Sequence, residues 1–495
     1  MQLNEDFIKI IFGIRIKKIR THKGLSLADL AKKSGLSSSY LNEIENGKKY
    51  PKTEKIIALA NALEKPYEEL VSLELTKSLS PIKKLLGTNF LDVLPEDLFG
   101  LDYQKMIEFV VNEPVKSNAL ISTIIEIARN YELTRDEFYY ATLRSYQELN
   151  DNYFEDIENA TGQLRKKLGI QNKNRIAAKE MYEVLTKQFN VKIEEKEFGQ
   201  QKELAFLRYA YSKSKNTLYI NTLLTESQRA YVFSKEIGYR VLDIRPRPGI
   251  SPLQNIQSFE EVYNNFQSSY FASAFLINKE SLITDTKRMI VQKEWKNDLL
   301  LKIMDKYTSS PELFMHRFTS ILPTYFNLKD LFFLRFDNKM GSPNYTLTKE
   351  LHLSKLHNPH GNGLHEHYCR RWISLKVLKD MEYSRTRLNT ERPISAAQIS
   401  NYEGSDNQYF VISLARPKIR TPKINTSLTI GFLLNDAAKR KVRFWNDTNI
   451  AREVVNETCE RCAISDCKVR ASKPTIVKRE KQKAKVISMI TELLD

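Results

Sequence analysis

The sequence predicts a multi-domain protein whose first domain is all-α and whose later domains are α+β. At 495 residues the chain is long enough for about three domains with separate cores. Short amphipathic segments with helix start and stop signals fill the first 75 residues, and strand-like alternation begins only near residue 190. We expect four regions: a five-helix domain at 1–75, a helical connector at 76–167, an α+β region at 168–298 and a second α+β region at 299–495.

Residues 25–63 have the pattern of two short helices joined by a tight turn. Ser26 is a favourable N-cap for a segment whose apolar residues recur at helical spacing. Gly35 can adopt the left-handed backbone of a turn, and Ser37 caps the next helix. The pattern predicts a helix-turn-helix. The alternative is an ordinary helical bundle that contains a glycine turn.

The second of these helices has apolar side chains on one face and small hydroxyl or amide side chains on the other. The major groove of DNA admits a helix, and short polar side chains can reach the base edges there. Cationic residues beside such a helix are suited to phosphate contacts. We therefore expect double-stranded DNA as a partner and predict these contact residues: Arg15, Ser37, Ser38, Ser39, Asn42, Asn46, Lys48 and Lys49.

The run from Ser37 to Lys48, followed by Pro51, resembles the Cro/C1 (XRE) class of DNA-binding domains. The resemblance covers about the first 75 residues and implies sequence-specific DNA binding. One position differs. The residue after the cap of the second helix is often a phosphate-gripping glutamine in this class, and here it is Leu27.

The composition favours a polyanionic partner, although a solvated basic surface is also common. Lys and Arg number 77 against 60 Asp and Glu, which gives a formal net charge of +17. The segment from Lys468 to Lys485 is strongly basic, and it is either a second nucleic-acid contact or a soluble end. The sequence shows no secretory signal and no apolar stretch of about 20 residues that could span a bilayer. We expect a cytoplasmic protein with no membrane partner.

Residues 82–167 have helical patterns, with apolar faces such as the one containing Ile121 and Ile125. Dimerisation through this connector is an expectation. The sequence pattern then changes from helical to strand-like. Residues 207–220 are predicted to form a hairpin, which leads into helices predicted at 226–242 and 259–277.

That order of elements resembles the IrrE/ImmA-type metallopeptidase fold, in which the first helix carries His-Glu-x-x-His and the next supplies a third, acidic ligand. Zinc needs two imidazoles one helical turn apart and a third donor. The matching positions here hold Lys235, Glu236 and Tyr239, with Gln267 on the later helix before Phe271-Ala272. Because an ammonium group cannot bind zinc, we predict a non-enzyme that keeps the fold as a scaffold or ligand-sensing surface. The alternative is an ImmA-type zinc metallopeptidase that acts on a partner regulator.

The last 200 residues read as α+β. Five of the seven histidines lie between His352 and His367, and we interpret that segment as a polar loop because no pair has ligand spacing in a helical context. The predicted strands are 331–336, 344–347, 408–415 and 427–434, and the predicted helices are 311–322 and 436–443.

Three cysteines lie within nine residues, as Cys459-x2-Cys462-x4-Cys467, and the fourth, Cys369, lies 90 positions earlier. In a reducing compartment clustered thiols indicate a metal or redox site. Four thiolates suit zinc and iron–sulfur clusters alike, so the spacing does not separate them. Unliganded cysteines in a loop are the alternative.

The combined features resemble the short-chain fatty acid (propionate/acetate metabolism) transcriptional regulators. They are the Cro/C1 head, the degenerate peptidase-like middle, the run from Cys369 to Trp372, and the cysteine cluster followed by Arg470-Ala471. The resemblance implies a one-component regulator with an acyl-CoA-like effector and an iron–sulfur cluster of the 4Fe–4S type, with zinc as the alternative, and we also expect a homodimer. Lys468 stands where proline is common in that family. A nucleic-acid-binding adaptor with a structural zinc site is a further alternative.

Overall fold

The computed structural model describes residues 5–72, 134–200, 202–353, 366–419, 421 and 423–494. The chain divides into two compact units, one of residues 1–141 with 257–260 and the other of residues 142–256 with 261–495. The helical pattern predicted around Ile121 lies outside the described residues. The division into four regions stays a prediction.

The described part of the first unit begins with five helices. They are α1 (Glu5–His22), α2 (Leu27–Ser34), α3 (Ser38–Glu45), α4 (Thr53–Leu63) and α5 (Tyr67–Val71). Their apolar faces share one core, because the residues predicted to point inward recur at helical spacing. The fully buried centre of that core consists of Ile16, Leu30, Leu41, Ile44, Leu59, Leu63 and Leu70.

The later helices are α6 (Arg135–Leu149), α7 (Glu155–Lys167), α8 (Ala178–Phe189), α9 (Glu226–Val241), α10 (Phe259–Leu276), α11 (Lys279–Ile290), α12 (Asn297–Tyr307), α13 (Pro311–Phe326), α14 (Ile373–Arg387), α15 (Asp436–Lys441) and α16 (Thr475–Leu494). Among the described residues, no helix is long and apolar enough to cross a membrane.

A small four-stranded sheet carries the hairpin predicted at 207–220. Its strands are β1 (Lys192–Lys196), β2 (Tyr209–Ser212), β3 (Thr217–Asn221) and β4 (Ile250–Ser251), in the order β1-β3-β2-β4. Strand β2 runs antiparallel to β3 and β4, whereas β1 runs parallel to β3. Helices α8 and α9 share one core with this sheet.

A six-stranded sheet dominates the C-terminal part. Its strands are β5 (Leu331–Lys339), β6 (Thr346–His352), β7 (Ile394–Tyr402), β8 (Gln408–Pro417), β9 (Ile424–Leu433) and β10 (Ala451–Val455), in the order β10-β7-β8-β9-β5-β6. Among the described strands of this six-stranded sheet, only the edge pair β10–β7 is parallel. His352 lies in β6 and not in the polar loop predicted for it, and residues 354–365 lie outside the described residues.

Both faces of this sheet are covered, so its central strands β8 and β9 are buried along most of their length. Successive residues of a strand point to opposite faces. On β5, Phe333 faces the core shared with α12 and α13, and Phe332 faces the smaller core that contains Trp372 and Leu375. The sheet therefore separates the IrrE/ImmA-like region from the segment that carries the cysteines.

Candidate functional site

Local signals fix the turn between α2 and α3. Ser26 and Asp29 form a capping box in which the Ser26 hydroxyl accepts the Asp29 N–H at 3.1 Å and the Asp29 carboxylate accepts the Ser26 N–H at 2.9 Å. Gly35 ends α2 with φ at 71°, a backbone that favours glycine. Ser37 caps α3 by accepting the Tyr40 N–H at 3.2 Å. The predicted helix boundaries at this turn are thus the observed ones.

The inner face of α3 is held by apolar burial and by one ion pair. Leu41 and Ile44 are fully buried. The Glu45 carboxylate accepts two hydrogen bonds from the Arg20 guanidinium of α1, at 2.6 and 2.8 Å. This bidentate pair lies in the core, and it fixes the rotation of α3 about its own axis because both oxygens must meet the guanidinium fork.

Gly13 allows α1 and α3 to pack closely. A Cβ at this position would lie 2.9 Å from the Glu45 carbonyl oxygen and closer still to the Ile44 carbonyl oxygen. Both atoms belong to the backbone of α3 and cannot rotate away. Glycine is therefore required for the observed approach of the two helices.

The outer face of α3 presents short polar side chains to solvent. Ser38, Ser39 and Asn42 are exposed, and Asn46 is half-buried at the end of the helix. The Asn46 amide donates to the Asn42 side-chain oxygen at 3.2 Å, which leaves the Asn42 NH₂ group directed away from that bond. This face has the donors and acceptors that base-edge recognition uses.

The predicted cationic contacts differ in their surroundings. Lys48 is exposed, and the Lys49 Nζ lies 2.7 Å from the Glu43 carboxylate, which raises the pKa of Lys49. Arg15 donates from Nη1 to the Glu69 carbonyl oxygen at 2.6 Å and so joins α1 to α5. Lys48 is therefore the best placed of the three for a phosphate, and the contacts of all three stay predictions.

The positions that match the zinc motif lie on α9 and are buried. The Glu236 carboxylate accepts hydrogen bonds at 2.6 Å from both Nη atoms of Arg247, and it also accepts one from Arg240. The Arg247 guanidinium is stacked 3.7 Å from the centre of the Tyr211 ring. Two guanidinium groups thus compensate the carboxylate that serves as general base in an intact peptidase.

The remaining positions of the motif have their own partners. Lys235 is 4% exposed and its ammonium donates to the Asn265 side-chain oxygen. Burial, together with nearby Arg208 and Lys349, lowers the pKa of Lys235 to about 7. Gln267 donates to the Tyr263 hydroxyl at 3.2 Å. Within the described ranges, no three His, Cys, Asp or Glu side chains are grouped so that they could hold a metal ion.

The resemblance of α10 to the peptidase fold has a packing reason. Gly238 on α9 faces the Phe271 side chain of α10, and a Cβ at Gly238 would lie 2.9 Å from the Phe271 ring. Phe271 and Ala272 are fully buried. The Phe-Ala pair and the glycine therefore serve the contact between two helices, independently of any metal.

Two backbone segments bring Cys369 beside Cys459. Tyr368 and Thr458 form an antiparallel bridge. The Cys369 N–H donates to the Glu457 carbonyl at 3.2 Å, and the Cys459 N–H donates to the His367 carbonyl at 2.8 Å. Cys369, Cys459 and Cys462 are buried, and Cys467 is half-buried.

Polar donors surround these thiols. The Ala471 N–H donates to the Cys459 sulfur at 3.3 Å, and the Arg371 guanidinium lies close enough to Cys467 to interact with it electrostatically. Burial raises the pKa of the Cys369 thiol to about 11, and Cys459 and Cys462 contribute to the rise. These N–H donors suit thiolate sulfurs. Among the described residues the cysteine side chains are not grouped as metal ligands, so they would have to move closer together to bind a metal ion.

Comparison with known proteins assigns two regions. A family model described as "Helix-turn-helix" matches residues 16–70, and one described as "IrrE N-terminal-like domain" matches residues 186–319. The HTH-type transcriptional regulator RghRB of Bacillus subtilis (strain 168), described as uncharacterized, is 40% identical over 62 residues, which are 12% of this chain and 45% of RghRB. Residues 16–70 are a Cro/C1-type helix-turn-helix domain. The chain spans less than half the length of RghRB.

Two solved structures are also similar to parts of the chain. A transcriptional regulator from Mycobacterium tuberculosis is 14% identical, covers 67% of this chain and 94% of its own, and has a TM-score of 0.47. The restriction-modification controller protein C.AhdI from Aeromonas hydrophila is 40% identical, covers 14% of this chain and 98% of its own, and has a TM-score of 0.13. The latter is similar in sequence to a stretch about as long as the helix-turn-helix domain.

The fold brings together some of the site residues that the sequence predicts. The helix-turn-helix domain gathers the polar residues of α3 on one surface, and the bridge at Tyr368 brings Cys369 to Cys459. No sequence pattern indicates a role for Arg247, because it lies in a Pro-rich loop without periodicity. None indicates the pairing of Arg20 with Glu45 either. Buried charges on neighbouring helices become visible only when the packing is known.

Proposed function

We propose that this protein is a transcription regulator that binds duplex DNA through α3 of its helix-turn-helix domain. The observation that carries the proposal is the outer face of α3, where Ser38, Ser39 and Asn42 are exposed together. The opposite face is fixed in the core by Leu41 and Ile44. The match of residues 16–70 to the helix-turn-helix family and the description of RghRB as an HTH-type transcriptional regulator support the same proposal.

The physical basis is a division between specificity and affinity. Amide and hydroxyl groups can bond to base edges in the major groove, where each base pair presents a distinct pattern of donors and acceptors. Cations beside the helix contact phosphates, which carry no sequence information but orient the helix. We also propose a homodimer, because helix-turn-helix proteins commonly read two half-sites about one helical turn apart.

The test compares two alanine variants of the full chain on a selected operator and on random duplex. Asn42→Ala should lower the ratio of specific to random affinity by about 5- to 150-fold, because a bidentate base contact gives ~1–3 kcal/mol of discrimination. Lys48→Ala should weaken both affinities together and reduce the salt dependence by about one phosphate contact.

Lys65→Ala is the matched control, since Lys65 is a surface lysine that pairs with Glu69 at 2.8 Å on the following helix. It should leave both affinities unchanged. An equal loss on operator and random duplex in the Asn42→Ala variant would show that α3 does not read bases at that position.

We propose further that the IrrE/ImmA-like domain is not a peptidase. The match over residues 186–319 favours a peptidase-like fold, but the pairing of Glu236 with Arg247 and Arg240 removes the base that such chemistry needs. The full chain should show no zinc-dependent cleavage of itself or of a partner regulator, before or after reconstitution with zinc. Cleavage that appears with zinc and disappears in a Glu236→Gln variant would reverse this assignment.

For the cysteines we propose an iron–sulfur cluster, with zinc as the alternative. The residues that would hold it are Cys369, Cys459, Cys462 and Cys467, and the cluster would supply sensitivity to redox state. The Ala471 N–H and the Arg371 guanidinium are the donors that would stabilise sulfur ligands. Protein purified without oxygen should be brown and contain iron and sulfide. Colourless protein with one zinc per chain would favour zinc, and protein with neither would remove the metal site.

We also propose that the chain responds to a small-molecule effector of the acyl-CoA type, as its resemblance to short-chain fatty acid regulators implies. An effector changes DNA binding only if it binds two states of the protein with different affinity. Operator affinity should therefore shift when an acyl-CoA is added, and an unchanged affinity over millimolar concentrations would count against this effector.

A further inference from the structure

Eight cationic side chains lie around three carboxylates in the second unit, near the residues that replace the zinc motif. The carboxylates are Glu236, Glu312 and Asp337. The cations are Arg208, Lys235, Arg240, Arg247, Arg335, Lys349, Arg416 and Lys418.

Each of the three carboxylates already has cationic partners. Glu312 at the start of α13 lies 2.6 Å from the Lys349 ammonium and 3.3 Å from the Arg335 guanidinium. Although burial opposes it, these cations hold the pKa of Glu312 well below its usual range. The Asp337 carboxylate accepts from Lys418 and from the Thr426 hydroxyl, at 2.6 and 2.7 Å. Glu236 is held by two guanidinium groups, as described above.

Three of the cations have no carboxylate within ion-pair distance among the described residues: Arg208, Lys235 and Arg416. Arg208 lies close enough to act electrostatically on both Lys235 and Glu312. Arg416 interacts electrostatically with Glu312 and Asp337 without a direct bond to either carboxylate. The Nε atoms of Arg335 and Arg416 are buried without a hydrogen-bond partner in the described part of the chain. Buried guanidinium groups normally have partners, because leaving a charged donor unpaired is costly.

The cluster runs from the surface inward. Lys349 is half exposed, with 47% of its side chain accessible, whereas the Arg335 side chain is 12% exposed and Lys235 is almost fully buried. Residues from four elements contribute, namely α9, β5, β6 and β8, and Arg208 directly precedes β2. The cluster is most open to solvent at Lys349, so a small anion can approach it there.

We propose that Arg208, Lys235, Arg335, Lys349 and Arg416, here called the cationic cluster, form a binding site for a small anion with at least two negative charges. Guanidinium groups bind carboxylate and phosphoryl oxygens through paired N–H donors, and a lysine adds a point charge. Such a ligand supplies the acceptors that the buried Nε atoms lack. One member of the cationic cluster, Lys235, occupies a position that holds a zinc ligand in the peptidase motif, and the cluster selects anions instead of a metal ion. The inference concerns ligand binding and does not require DNA binding.

The experiment measures binding of pyrophosphate, citrate and acetate to the full chain by titration calorimetry, at pH 6.5, constant ionic strength and without DNA. Pyrophosphate and citrate separate phosphoryl from carboxylate recognition, and acetate tests the need for more than one charge. We expect at least one of the two multivalent anions to bind at micromolar to low millimolar concentration and acetate to bind far more weakly.

Arg416→Gln and Lys349→Gln should each weaken that binding by about 10- to 100-fold, the effect of losing one hydrogen bond to a charged group. Lys329→Gln is the matched control, because Lys329 is a half-exposed lysine 2.6 Å from the carboxylate of Asp151, as Lys349 is from Glu312. It should bind like the wild type. Circular dichroism checks that each variant is folded.

The proposal is overturned if neither multivalent anion binds below 10 mM. It is also overturned if folded Arg416→Gln and Lys349→Gln proteins bind as the wild type does, or if Lys329→Gln weakens binding equally, which would indicate general charge attraction. Loss of DNA binding in any of these proteins is a separate measurement and leaves the anion result unchanged.

Discussion

Replacement of Lys235 by methionine tests how the IrrE/ImmA-like domain accommodates its buried ammonium group. In the folded chain burial lowers the pKa of Lys235 to about 7, from its ordinary value of 10.5. Between those values the unfolded chain binds more protons than the folded chain, so this residue makes stability rise with pH. The groups that act on Lys235 electrostatically or through ring contacts are Arg208, Lys349, Glu236, Arg247, Tyr209 and Tyr239.

The size of this stability change follows from the interval between the two pKa values of Lys235. One pH unit of full proton difference corresponds to ~1.4 kcal/mol, so the whole window amounts to roughly 5 kcal/mol. Between pH 6 and pH 9 the wild type should gain about 2–3 kcal/mol relative to the Lys235→Met variant, because the folded-state proton is released within that interval. Methionine keeps the length of the side chain and removes its charge, so the core should remain filled.

Urea unfolding at several pH values, followed by tryptophan fluorescence, measures this difference. All three tryptophans, Trp295, Trp372 and Trp445, lie in the second unit, so the signal reports that unit alone. Lys329→Met, at an exposed lysine, is the control and should follow the wild type. Parallel pH profiles for wild type and Lys235→Met, within about 0.5 kcal/mol, would refute the reasoning, because the ammonium group would then not be buried as described.

Two further experiments test side-chain packing, one in each unit. Gly13→Ala should destabilise the helix-turn-helix domain by ~1–3 kcal/mol and reduce duplex affinity, because the added Cβ would push α3 away from α1. Gly162→Ala is the comparison, at a helical position of α7 where a Cβ meets no neighbour. It should stabilise the chain by up to ~1 kcal/mol in thermal unfolding. Arg317→Met should cost ~3–5 kcal/mol because it leaves the buried Glu158 carboxylate without its guanidinium, and adding Glu158→Leu should recover much of the loss in urea unfolding. A Gly13→Ala protein as stable as the wild type, or no recovery in the double variant, would contradict these accounts.

The sequence predicts the helix-turn-helix well because its signals are local. Ser26, Gly35 and Ser37 act within three or four residues of their own positions, and the structure places them at the caps and the turn. The same reason explains the agreement at the hairpin of β2 and β3 and at α9, whose capping residue Thr225 is again local.

Strands that depend on distant partners were missed. Strand β7 has the sequence Ile-Ser-Ala-Ala-Gln-Ile-Ser-Asn-Tyr, which is poor in β-branched residues, and it is a strand because it lies between β8 and β10. Strand β10 pairs in parallel with β7 across about 50 residues of sequence. Tertiary context decides both, and no pattern within the segments expresses it.

The candidate sites divide in the same way. The residues of α3 could be placed from their helical spacing, and the loss of the zinc ligands could be read from Lys235 and Tyr239. The pairing of Glu236 with the guanidinium of Arg247 follows only from the fold, as does the cationic cluster, whose members come from separate parts of the chain. Long charged side chains meet through space, and their spacing in sequence carries no periodic signal.

The most direct test of DNA recognition by α3 is selection from a random duplex library with the full chain at about 150 mM salt, a concentration at which nonspecific phosphate binding is weakened. The wild type should enrich one consensus sequence, and a folded variant with alanine at Ser38, Ser39 and Asn42 should lose it. No enrichment by the wild type, or the same consensus at the same affinity from the triple variant, would contradict the account.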